Sequence, residues 1–144
     1  NTVITFATTT TVGKHLVIHH RNHLGVMTNT PLTTNGQNTD FTTVTAVTTY
    51  GTGAQQVNGS RRALYSGNVN SDTMVKYSGT TNDRDPILTS IGSTTPTTSL
   101  SGYRREDVNM DGVTKYTGTG NDRDLVLNII GGTTPTATKV QQVP

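Results

Sequence analysis

Residues 107–124 read Asp-Val-Asn-Met-Asp-Gly-Val-Thr-Lys-Tyr-Thr-Gly-Thr-Gly-Asn-Asp-Arg-Asp. Asp107, Asn109 and Asp111 alternate with Val and Met and then meet Gly112, which is the D-x-N-x-D-G opening of a calcium loop. Alternate residues turn inward, and the glycine permits the sharp turn after the third ligand. The acid that would close a twelve-residue loop is absent at that spacing; Asp122 and Asp124 arrive only after the insert at 115–121. The stretch therefore predicts an expanded calcium loop, with Asp107, Asn109, Asp111, Asp122 and Asp124 as its ligand set.

The same pattern stands 39 residues earlier, since 107 − 68 = 39, with segment 68–97 recurring as 107–136. Asn68, Asn70, Asp72, Asp83 and Asp85 are the corresponding candidates. Here one acid has become Asn68 and the glycine has become Thr73, so weaker binding is expected, because affinity follows ligand charge and loop rigidity. Each copy continues into a short helix. Asp83 and Asp122 are expected to cap these helices, Leu88 with Ile91 and Leu127 with Ile130 to share the buried face, and Gly92 and Gly131 to stop them. Each copy alone has too small an apolar face to bury, so the two are expected to pack as a pseudo-symmetric pair. Tyr77 and Tyr116 read as packing residues that pin the inserts.

Outward from the repeat the composition changes. Residues 1–60 form a Thr-rich domain and 61–144 the duplicated module. Of 144 residues, 32 are Thr, 15 Gly and 12 Asn, while only 14% are charged. That excludes a long helical bundle or coiled coil and favours strands, because β-branched side chains pack well on a pleated surface. Strands are expected at 3–7, 14–21, 26–30 and 41–50, with turns at Pro31 and Asn35-Gly36. The fold class is mainly β with short helices: an immunoglobulin-like β-sandwich, incomplete because four or five strands precede the repeat where about seven are needed, followed by the loop–helix module.

Eight of the nine acids lie in the repeats or, as Glu106 does, immediately before the second, with Asp40 alone elsewhere. With no Cys, a metal staple must be held by oxygen. The net charge of +2 comes from scattered Lys and Arg, and with no Trp and two Phe there is little on which to stack bases, so nucleic acid is not an expected partner. No apolar run approaches the roughly 20 residues of a membrane span. The chain begins at Asn1, as a processed product or a fragment of something longer would. His15, His19, His20 and His23 sit close in sequence, but on a straight strand His15, His19 and His23 stand roughly 13 Å apart in succession, which gives a surface or structural role rather than a zinc site. No nucleophile constellation or phosphate loop accompanies them, so no enzyme is expected. Asn58-Gly59-Ser60 matches a glycosylation acceptor.

The duplicated Asp-Val-Asn-Met-Asp-Gly, Lys-Tyr-Thr-Gly and Asn-Asp-Arg-Asp elements resemble the dockerin-like, calcium-binding C-terminal region of large secreted proteins from Bacteroidetes-type bacteria. The stretch 20–27, His-Arg-Asn-His-Leu-Gly-Val-Met, is similar to one that precedes that region in the same proteins. The resemblance covers about residues 14–144 and implies an extracellular or cell-surface protein holding calcium, with two ions expected. Two readings follow. An incomplete sandwich presents unpaired strand edges, and segment Asn1 to Thr11 would complete a neighbour's sheet, giving a homopolymeric filament or pilus-like appendage. Alternatively, the helix pair is a binding module for a cohesin-like receptor.

Overall fold

The structure, a computed structural model, describes residues 10–46 and 48–144. It is mainly β with two short helices, and the chain divides into two compact units. The expected strand at 3–7 and most of the segment Asn1 to Thr11 lie outside the described residues.

The first unit contains the described residues 10–18 together with Gly25–Ala63 and Gln142–Pro144. Strand β1 (Val17–Ile18) pairs antiparallel with β2 (Val26–Met27), and β3 (Gln56–Asn58) with β4 (Arg61–Ala63). The second pair is a hairpin turning at Gly59-Ser60, where φ of +58° at Gly59 suits a two-residue turn. Val26, Met27, Leu32, Phe41 and Ala54 are buried. The long strand expected at 41–50 is instead a series of bends with single bridges at Thr43 and Thr49. The reason is local: Asp40 accepts hydrogen bonds from the Thr42 N–H (2.7 Å) and from the Thr42 and Thr43 hydroxyls. Such short-range bonds compete with a ladder.

The second unit contains His19–Leu24 and Leu64–Gln141. The repeat is realised as a reciprocal exchange. Strand β5 (Met74–Lys76) leads to helix α1 (Arg84–Ser90) and the tail β6 (Ser99–Ser101); β7 (Val113–Lys115) leads to α2 (Asp122–Ile129) and the tail β8 (Thr138–Val140). Each tail pairs with the other copy's strand, Lys76 opposite Thr138 and Lys115 opposite Ser99. The crossing is repeated in side chains, for Ser78 Oγ donates to the Pro135 carbonyl and Thr117 Oγ1 to that of Pro96. The core joins Val69, Val75, Ile87, Val108, Val126, Ile130 and Leu24, with Tyr77 and Tyr116 packed against it.

The buried pair is Ile87 with Ile91, the residue that caps the end of α1, and Val126 with Ile130, which does the same for α2. Leu88 and Leu127 are half-buried at its flank. The expected three-residue spacing is thus replaced by a four-residue one, which lines up more closely along a helix of 3.6 residues per turn. The helices end as expected: Ser93 N–H reaches the Leu88 carbonyl and Gly132 N–H that of Leu127, with Gly92 and Gly131 at φ of +104° and +120°.

Candidate functional site: two Asx-lined loops and the strap that holds them

The acids next to the helices do a different task from capping. Asn121 Oδ1 accepts the Asp124 N–H (2.8 Å) and Asn82 Oδ1 the Asp85 N–H (2.9 Å), so the asparagines satisfy the first turns. Asp122, wholly buried, points back into its loop. Its Oδ1 accepts from Val108 N–H (2.7 Å) and Asn109 N–H (3.2 Å), and its Oδ2 from Lys115 N–H (2.8 Å). Asp83 does the same with Val69, Asn70 and Lys76. Burial pushes the Asp83 carboxyl up to about 6 and raises that of Asp122, against the pull of the three N–H groups. These two carboxylates tie the start of each loop to its strand.

Around that staple the loop side chains fold into successive Asx turns. Asn109 Oδ1 accepts from Asp111 N–H (2.8 Å) and Asp111 Oδ1 from Val113 N–H (2.9 Å); Asn70 and Asp72 repeat this with Asp72 and Met74 N–H. Met110 and Ser71 both take positive φ between the turns. Asp107, Asn109 and Asp111 are thereby brought together, as are Asn68, Asn70 and Asp72. Asp124 turns to Asn121 Nδ2 (2.8 Å) and Arg123 (2.8 Å), and Asp85 to Asn82 and Arg84. Both still line the clefts beside their loops: one of about 700 Å³ includes Asn70, Asp72, Asp85 and Glu106, and one of about 330 Å³ includes Asn109 and Asp124.

The copies differ at one peptide. Asp107 accepts from Asp111 N–H and Gly112 N–H, both at 3.1 Å. In the first loop Asn68 Nδ2 instead donates to the Asp72 carbonyl at 2.7 Å, so the peptide that shows its N–H inward in one copy shows its C=O in the other. The exchange of acid for Asn68 and of glycine for Thr73 belongs together: Gly112 has φ of +87°, whereas Thr73 avoids the left-handed region. That orientation leaves Asn68 Oδ1 buried without a partner.

The loops are tied to one another by His19–Leu24, a role not read from the sequence. The Asn22 carbonyl accepts from Gly67 and Asn68 N–H at the start of the first loop, while its Nδ2 donates to the Arg105 and Asp107 carbonyls at the start of the second. Leu24 enters the core and Arg21 Nη2 lies 3.4 Å from Asp107 Oδ2. The chain turns after Ile18 instead of running straight, which brings His20 Nδ1 and His23 Nδ1 within 2.9 Å. Burial, with the neighbouring charges of His20 and Arg21, lowers His23 to about 4.

Among the described residues no three His, Asp or Glu side chains stand close enough to hold a metal ion by themselves. A cation here would draw on asparagine and main-chain oxygens as well. The donor set, carboxylate and amide oxygen with no sulfur, suits a hard ion, and the unpartnered Asn68 oxygen fits such an ion. No family model matches the chain, and neither a curated protein nor a solved structure matches it. Among the described residues no helix is long and apolar enough to cross a membrane.

Proposed function

We propose that the chain is a calcium-stabilised extracellular structural subunit, whose second unit is a duplicated dockerin-like loop–helix module. The observation that carries this reading is the pair of Asx-lined loops, each gathering three oxygen-bearing side chains at alternate positions and each ending at a helix. Asp107, Asn109 and Asp111 would hold one ion; Asn68, Asn70 and Asp72 would hold a second. Asp85 and Asp124 supply further carboxylates in the adjoining clefts, and Asp83 and Asp122 keep the loops closed. Calcium would supply charge that the carboxylates lack and so rigidify both loops.

Assembly into a filament is the fuller form of the proposal. The first unit supports it, because among the described residues its sheets have two strands each, extended only by single bridges at Thr43 and Thr49, and such short ribbons gain from an added strand. Segment Asn1 to Thr11, from a neighbouring copy, is the proposed addition in an incomplete immunoglobulin-like sandwich. The alternative, recognition of a cohesin-like receptor, would use the helix surfaces, but Ile87, Ile91, Val126 and Ile130 are buried.

Sedimentation velocity in millimolar calcium, beside a chelated sample, tests the proposal. Large polymers that collapse on chelation are expected. A compact monomer that binds calcium would move the weight to the receptor-binding module, and a chain indifferent to calcium would end both readings.

A further inference from the structure

Arg21 is held more tightly than a strap residue needs to be. Its side chain is 13% exposed, Nη2 lies 3.4 Å from Asp107 Oδ2 and 3.5 Å from the Asp107 carbonyl oxygen, and the Tyr103 ring covers the guanidinium with 3.7 Å between its carbon and the ring centroid. Yet Nε and Nη1 are buried with no acceptor. Leaving such donors unpaired is costly, and what offsets the cost is the charge of Asp107, itself 2% exposed. The first loop has nothing comparable. Its first position is neutral Asn68, and Lys76 Nζ donates to the Thr80 carbonyl and the Thr81 hydroxyl rather than to Asp72.

We propose that Arg21 is a built-in competitor of the cation in the second loop, a resident positive charge that keeps Asp107 compensated when no ion is bound and lowers the affinity of that loop when one is offered. This rests on the calcium reading above. A cation held by Asp107 would lie within a few ångströms of the guanidinium, and because Arg21 and Asp107 are both largely shielded from solvent the repulsion is screened less than between exposed charges. The second loop has more formal charge than the first, but part of it is already spent on Arg21. Tyr103 acts through Arg21 by keeping it out of water.

Calorimetric calcium titration of the full chain tests this in an Asp72→Asn background, which weakens the first loop by removing its charge and the Asn70 Nδ2 contact while keeping an oxygen for the Met74 N–H. Adding Arg21→Gln is expected to tighten binding by about tenfold or more, whereas Arg21→Lys, which keeps the charge, should stay within about threefold of the parent. Because Arg21→Gln removes buried contacts, Tyr103→Ala serves as a second variant. Tyr103 is 81% exposed, so the fold is spared, and release of the guanidinium into water should tighten binding severalfold. Unchanged or weaker binding in both Arg21→Gln and Tyr103→Ala, in a parent that binds calcium, overturns the competitor role alone. An unsubstituted chain that gives no calcium heat overturns the calcium reading and this inference with it.

Discussion

Asp122 is a carboxylate without water around it, and three main-chain N–H groups converge to hold it. Replacing it by alanine removes one side chain but strands three donors, so Asp122→Ala is expected to cost about 2–4 kcal/mol, read from urea unfolding in the absence of calcium. Asp85→Ala, on an exposed side chain, should cost far less; equal losses would mean that the staple is not where the stability lies. His23 gives a pH prediction of definite sign. Its folded value of about 4 lies below the ordinary imidazole value of 6.5, so the folded state binds fewer protons than the unfolded chain. Stability is therefore fully present above about pH 6.5 and falls as the pH drops towards 4. The ring is only partly buried, so the loss is about 1–2 kcal/mol after allowance for screening. Melting temperatures at pH 7 and pH 4.5 should show a smaller drop in His23→Gln than in the parent, and parallel curves would count against it.

The elements show what the sequence could carry and what it could not. The duplication, the loop-then-helix order and the glycine stops at Gly92 and Gly131 are local patterns, and all are present. The capping bonds come from Asn82 and Asn121 although Asp83 stands at the N-cap position of α1 and all four are good capping residues; burial of the acid against its loop decides between them. Strand partners were not legible, since β5 pairs with β8 across more than sixty residues and nothing near Met74 names Val140. The strap was hidden for the same reason. Residues 19–21 close the strand expected at 14–21, and only contact with Asn68 and Asp107 reveals the use of His19–Leu24. The helix face is testable directly. Ile87→Ala should destabilise the chain by about 2–5 kcal/mol, and Leu88→Ala by less than half of that, because Leu88 is half-buried; the reverse order would restore the three-residue spacing as the true core face.

For the molecule as a whole, the two units place their stability in different hands. The second has a continuous core and reciprocal strand exchange, and a bound ion would raise its stability by mass action, by about 2.7 kcal/mol at a hundredfold excess over the dissociation constant. Among the described residues the first has two-stranded ribbons and exposed Val57, 61% accessible, on β3. A strand added to such an edge satisfies main-chain groups that would otherwise face water, and a contact of that kind between copies runs head to tail without closing, which makes a filament instead of a ring. Strand donation thus predicts a clean separation of properties. Removal of residues 1–11 should abolish polymers in sedimentation while calcium titration remains as in the parent, because the proposed ligands all lie beyond residue 67. Addition of a synthetic peptide of sequence 1–11 to the truncated chain should then cap the open edge and shift its melting upward without restoring polymers. Persistent fibres after truncation would transfer the assembly role from the donated strand to an edge such as β3.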